Sequence, residues 1–185
     1  MVARWAEPDP GRRGRPPPAD LILRTATIED CPAIAALEHA RGDIDADAGE
    51  ARCRRQVGDP EVALIVAAVD RRVVGFGRAG RFMPAADAPP DIMPAGWYLF
   101  GVIVEDAWRR HGIGRALTEA RLAWIRERAD AAWYFTNARN RVSIDLHAAL
   151  GFVEVTRAFS TPGVAFEGGE GVLCRLAWGS DGTLG

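Results

Sequence analysis

The stretch GVIVEDAWRRHGIGRAL, residues 101–117, decides how the chain is read. It opens on the β-branched run Val102, Ile103 and Val104, turns through Gly112 and Gly114, and continues with Ile113, Leu117, Ala120 and Trp124 on one helical stripe. A strand, a glycine-bearing turn and a long helix to about Ala129 are therefore expected. A helix N-terminus carries unpaired N–H groups and about half a unit of positive charge, so two glycines can bring that backbone against a pyrophosphate. Arg109, Arg110 and Arg115 can add charge-assisted contacts to phosphate oxygens. The same glycines also suit a tight strand-to-helix connection without a ligand, and the Gly-x-Gly pair alone leaves both readings open. Two known nucleotide loops are excluded. A Walker A loop needs a lysine, and a dinucleotide fingerprint needs a third glycine where Leu117 stands and a place at the first strand.

Outward from this stretch, the pattern gives the other elements. Upstream, Leu21 to Leu23 open a short strand, and Thr27 with Asp30 begins a helix carrying Ile34 and Leu37, with Pro32 in its first turn. A second helical stretch runs from Ala46 to Val57. Val62 to Val69 and Val73 to Arg81 form a hairpin around Arg71-Arg72. Phe82 to Gly96, with four prolines, is a loop, and Trp97 to Val104 is the strand leading into the turn. Downstream come a strand (Ala132 to Thr136), a helix (Asn140 to Leu150), a strand (Phe152 to Phe159), a glycine-rich loop and a last strand (Gly171 to Trp178). The order β-α-α-β-β-β-α-β-α-β-β implies an α/β fold, a mixed sheet with helices on both faces. Residues 1–20 hold five of the twelve prolines and four arginines without apolar periodicity, and are expected to be a disordered tail. One domain spans 21–178, and 179–185 is a flexible C-terminus.

Composition narrows the function classes. All 23 basic residues are arginine, which excludes a lysine Schiff base or nucleophile. A net charge of −2 argues against a protein that coats nucleic acid. No apolar run reaches a membrane span and no apolar leader opens the chain, so no membrane partner and a cytoplasmic location are expected. Cys31, Cys53 and Cys174 are far apart without a Cys/His cluster, so they are expected as separate reduced thiols, and no metal is expected.

Two blocks resemble the GNAT superfamily of acetyl-CoA-dependent N-acyltransferases. The signature Arg/Gln-x-x-Gly-x-Gly/Ala is met by Arg109, Gly112 and Gly114. A second block, Asn-x-x-Ala/Ser-Ile-x-Leu-Tyr/His-x-x-x-Gly-Phe, is met by NARNRVSIDLHAALGF, residues 137–152. The resemblance implies a predominantly antiparallel sheet with acetyl-CoA in a V-shaped opening between the strand ending at Val104 and the strand at Ala132 to Thr136. It also implies cofactor contacts from Val102, Ile103 and Val104, whose backbone would meet the pantetheine arm, and from Arg109, Arg110, His111, Gly112, Ile113, Gly114 and Arg115 around the pyrophosphate. Asn140 and His147 would complete the set.

Acetyl transfer to an amine needs a neutral amine and a proton for the departing thiolate. Asn140 and His147 share a helix face. Many relatives have a tyrosine at the second position as general acid, and His147 can take that role or hydrogen-bond the thiol, but it also fits a packing or cofactor-contact histidine. Glu105 follows the cofactor strand as a candidate base, although it reads equally as a solvated turn carboxylate. Relatives acting on ribosomal-protein N-termini carry a glutamate where this chain has Phe135. Glu38 and His39 border the family's acceptor region, and Tyr98 and Phe135 belong to an aromatic set that is partly core and partly acceptor pocket. The acidic run Asp43, Asp45, Asp47 and Glu50 can attract a cation or be solvated loop. The expected function is transfer of acetyl from acetyl-CoA to the primary amine of a small molecule by direct attack in a ternary complex. A protein acetyltransferase (N-terminal or lysine) and a non-catalytic acyl-CoA-binding module are the alternatives, and a homodimer is allowed for.

Overall fold

Residues Val62–Val69 carry no polar side chain, so a strand built from them has two apolar faces and must be covered on both. In the computed structural model, which describes residues 15–42, 44–166 and 168–179, this strand lies inside a seven-stranded sheet. The elements are β1 (Ile22–Thr25), α1 (Cys31–Arg41), α2 (Ala46–Gln56), β2 (Val62–Val69), β3 (Arg72–Phe82), β4 (Gly96–Val104), α3 (Ile113–Arg126), β5 (Ala131–Asn137), α4 (Arg141–Ala148), β6 (Val153–Thr156) and β7 (Gly171–Ala177). Their order along the chain is the expected one. The sheet runs β1-β2-β3-β4-β5-β7-β6, with β4–β5 the parallel pair and the other five pairs antiparallel.

Alternation along β2 divides the core. Ala63, Ile65, Ala67 and Val69 face α3 with Leu117 and Ile125, while Leu64 and Val66 face Ile34 of α1 and Cys53 of α2. A third cluster, around Tyr98, Met93 and Leu173, lies beneath the proline-rich loop. Boundaries shift where side-chain chemistry decides them. The hairpin turn falls at Asp70-Arg71, both with positive φ, one residue before the expected Arg71-Arg72, because a two-residue turn of that hand matches strand twist. Asn140 caps α4 from outside, its Oδ1 accepting from the Ser143 N–H.

One expectation needs correction. Cys31 and Cys53 are not separate thiols. The pairing of α1 with α2 sets their Cα atoms 5.4 Å apart, and they form a disulfide, leaving Cys174 free. Sequence separation hid this, since 22 residues of chain fold back as a helical hairpin. Of the tail expected over 1–20, residues 1–14 lie outside the described residues; among the rest, the Arg15 N–H donates to the Arg110 carbonyl at 2.7 Å and Pro17 packs on Gly112. At the other end, 180–185 lie outside the described residues as well.

The same helical hairpin buries an acid. Glu38 on α1 is 2% exposed and pairs with Arg52 of α2 and Arg78 of β3, whose Nε donates to Gln56. Paired in this way, the charges tie both helices to the sheet; removing the acid alone would strand two guanidinium groups.

Closing a loop of this length removes on the order of 3 kcal/mol of unfolded-chain freedom. Reduction, or the paired substitution Cys31→Ala with Cys53→Ala, is expected to lower unfolding stability by about that amount. Thiol titration in denaturant checks the premise: one reactive thiol is expected before reduction and three after.

Candidate active site

β4 and β5 pair over only two register positions, Tyr98↔Trp133 and Leu99↔Tyr134, and then part. A cavity of about 680 Å³ opens between them. β4 supplies one wall from Leu99 to Val104, β5 the other from Tyr134 to Asn137, and Asn140, Ser143 and His147 of α4 close one side. Because Ile103 pairs with Phe76 of β3, its neighbours turn their carbonyls away from that strand: Val102 O lies 3.5 Å from Arg41 Nη1 and Val104 O accepts from Arg109 Nε at 3.2 Å.

The turn after β4 uses two left-handed residues, Arg110 and Gly112, and Gly112 caps α3 without a side-chain bond to its first amides. Arg109, Arg110 and Gly114 line the cavity. The side chains of His111, Ile113 and Arg115 are engaged elsewhere. His111 Nδ1 is 3.0 Å from the Arg109 carbonyl, Ile113 is buried in the core, and Arg115 pairs with Glu119. Gly101 and Gly114 border the cavity, and a Cβ at either would meet nothing within 4 Å. That open floor is what an elongated ligand needs.

His147 is 3% exposed and its ring stacks on Tyr134, centroids 3.6 Å apart and planes within 5°. Its Nδ1–H donates to the Ser143 carbonyl at 2.8 Å, which fixes the tautomer and leaves Nε2 with a lone pair, buried and unpartnered. Tyr134 Oη donates to Ser143 Oγ at 2.7 Å. Burial pushes His147 down to about 4, the Ser143 bond opposing and the Arg121 charge adding to the effect. Near neutral pH this histidine is uncharged and accepts a proton at Nε2; it has none there to give. It can serve as an acid toward a thiolate only after first taking up a proton at that nitrogen.

The other expected site residues divide. Phe135 lines the cavity. Glu105 does not; its carboxylate is held by Arg72 at 2.6 Å on the exposed side of the turn. Glu38 is buried in its ion pairs, and His39 Nδ1 lies 3.3 Å from the Ile44 carbonyl. Tyr98 is fully buried and donates to the Pro94 carbonyl. In the acidic run, Asp45 caps α2 and Glu50 pairs with Arg54, while Asp43 lies outside the described residues. Sequence reasoning missed Ser143 and Arg41. Ser143, four residues before His147 and three after Asn140, was discoverable from helical spacing; Arg41 was not, because only the packing of α1 beside β4 brings it to the cleft. Cys174 is buried and pushed up to about 11, so no activated thiol stands among the cysteines.

A family model described as the acetyltransferase (GNAT) family matches residues 26–152. Solved structures share the fold. A ribosomal-protein-alanine N-acetyltransferase from Brucella melitensis is 23% identical, with TM-score 0.66, over 84% of this chain and 99% of its own. yncA from Salmonella typhimurium, solved with its cofactor acetyl-CoA, is 20% identical, with TM-score 0.65, over 90% and 98%. An aminoglycoside 6′-N-acetyltransferase from Acinetobacter haemolyticus is 15% identical, with TM-score 0.62, over 75% and 95%. No curated protein matches the chain.

Leucine at position 114 would fill the cleft floor while favouring the helix by roughly 0.5–1 kcal/mol over glycine. Gly114→Leu is thus expected to keep or raise thermal stability and to weaken acetyl-CoA binding at least about 10-fold, read by calorimetry. For His147, the unfolded chain takes up a proton near pH 6.5 that the folded chain refuses until about pH 4. Stability contributed by the neutral ring is complete above that window and is lost as pH falls through it, by roughly 3 kcal/mol. Denaturation curves between pH 7 and 4 should show this loss, and His147→Gln should remove it.

Proposed function

The chain belongs to the acetyltransferase (GNAT) family, and from that premise we propose that it transfers the acetyl group of acetyl-CoA to the primary amine of a small molecule. The observation that carries this reading is the cleft between β4 and β5, floored by glycines and lined by His147, whose buried Nε2 keeps an unpartnered lone pair. The ligand supplies an activated acyl group as its thioester; the chain supplies binding, orientation and a route for one proton. Arg109, Arg110 and the first amides of α3 hold the pyrophosphate. The backbone of Val102 and Val104 orients the pantetheine arm, with Ile103 fixing the strand against β3. The amine attacks directly: the C–N bond forms, the C–S bond breaks, and the amine proton ends on the coenzyme sulfur. His147 Nε2 accepts that proton and passes it on, held in the required tautomer by the Ser143 carbonyl. Asn140, capping α4 and bonded to Thr136, fixes the helix that carries it.

Among the described lining residues the one carboxylate, Asp106, is paired with Arg109, whereas Phe135, Leu146 and Phe166 are apolar. This supports an acceptor with one amine on an apolar body over a polycation. The proposed setting is the cytoplasm.

The test is thiol release from acetyl-CoA across a panel of aryl-alkyl monoamines, aminoglycosides and peptides. Monoamines are expected to raise release above hydrolysis, and His147→Gln to lower kcat at least about 10-fold while changing acetyl-CoA affinity by less than about 3-fold. Release with peptides alone would transfer the activity to protein amines. Binding without release by any acceptor would make the chain a binding module.

A further inference from the structure

Arg121 of α3 is fully buried, and among the described residues no carboxylate pairs with it. Its guanidinium is satisfied by oxygen dipoles instead. Nε donates to the Leu117 carbonyl at 3.0 Å, and Nη2 to Thr118 Oγ1 at 2.9 Å. Nη1 bridges two strands, donating to Arg78 O at 3.0 Å and to Phe100 O at 2.9 Å. Thr118 in turn donates to the Gly114 carbonyl at 2.8 Å, in the first turn of the same helix. A charge removed from water needs a specific reason to be there.

The position of the bridge supplies one. Along β3–β4 the register runs Gly77↔Val102 and then Ala79↔Leu99, so Phe100 and Gly101 stand opposite Arg78 alone. This is a bulge, and a bulge leaves backbone groups without ladder partners. It begins one residue after Leu99, the last residue of β4 that pairs with β5. The strand therefore leaves its parallel neighbour at the point where Arg121 grips it from behind. Gly77 is fitted to the same group: a Cβ there would lie 2.7 Å from Arg121 Nε.

We propose that Arg121 is a positioning residue for the cleft, pinning the β4 bulge at Phe100 and Gly101 so that Val102–Val104 stay turned out from β5. One planar fork reaches two strands and, through the Thr118 hydroxyl, the first turn of α3, which couples the wall of the cleft to the helix beneath the phosphate turn. The buried cation also helps keep His147 neutral. Acetyl-CoA as the ligand rests on the function proposed above; the bracing of β4 does not.

The experiment compares wild type with Arg121→Met, which keeps an unbranched apolar stem and loses every donor, and with Thr118→Val and Gly77→Ala, which leave the guanidinium in place but disturb its seat. Amide hydrogen exchange is followed in the ligand-free protein for residues 100–104 of β4 and, as reference, for β2. Exchange in β4 is expected to rise about 10-fold in Arg121→Met and less in the two milder variants, with β2 unchanged. Acetyl-CoA affinity, by calorimetry, is expected to weaken about 10-fold in Arg121→Met. Unchanged β4 exchange in the folded variants overturns the proposal, as does a rise shared equally by β2, which would make Arg121 an ordinary core residue. If Arg121→Met does not fold, the two milder variants decide by the same criterion. Wild-type protein that fails to bind acetyl-CoA would sink the proposed function and leave the exchange result standing.

Discussion

Two parallel strands that pair over two positions and then separate leave backbone N–H and C=O groups facing each other across open space, and such groups must be satisfied or solvated. Much of the functional part of this molecule follows from that constraint at β4 and β5. On the β3 side the bulge at Phe100 and Gly101 is taken up by Arg121; on the β5 side Val102 and Val104 meet Arg41 and Arg109. The divergence makes the cleft, and the helix that follows each strand, α3 after β4 and α4 after β5, delivers its N-terminal turn to the cleft mouth. The glycine turn after β4 and, in the last turn of α4, His147 stand on two sides of one opening.

Arginine does the buried electrostatic work. Arg78 meets the Glu38 carboxylate on the α1–α2 face of the sheet, while its own carbonyl is held from the other face by Arg121. The two cations therefore share one strand position but not one solution: the first is neutralised by an acid, the second by oxygen dipoles of the backbone and of Thr118. Lysine would serve poorly at the second, because its single nitrogen has three donors for four acceptors, the carbonyls of Arg78, Phe100 and Leu117 and the Thr118 hydroxyl. An absence of lysine that looks like mere composition coincides with guanidinium geometry at the points that hold the sheet.

The fold was largely legible because it rests on local rules. The apolar run at β2, the proline-rich loop after β3, and the glycine turn between β4 and α3 each announce themselves within a few residues. The site was legible only where one element carries it. Asn140 and His147 share a helix, and Arg109 and Gly114 share a turn, so spacing brought them forward. Glu105 was left between two readings, candidate base and turn carboxylate, because nothing in the sequence says that Arg72, 33 residues earlier, holds it. Cys31 and Cys53 were misread for the same reason, since their pairing depends on how two helices cross.

The sequence by itself determined the order of the elements, the glycine turn between β4 and α3 and the helix that bears the histidine, because periodicity and glycine placement act over short stretches of chain. Only the tertiary structure decided the charge state and tautomer of His147, the partner of each buried carboxylate and the grip of Arg121 on β4. Those depend on desolvation and on contacts between residues far apart in sequence, and neither quantity exists until the sheet has closed around them.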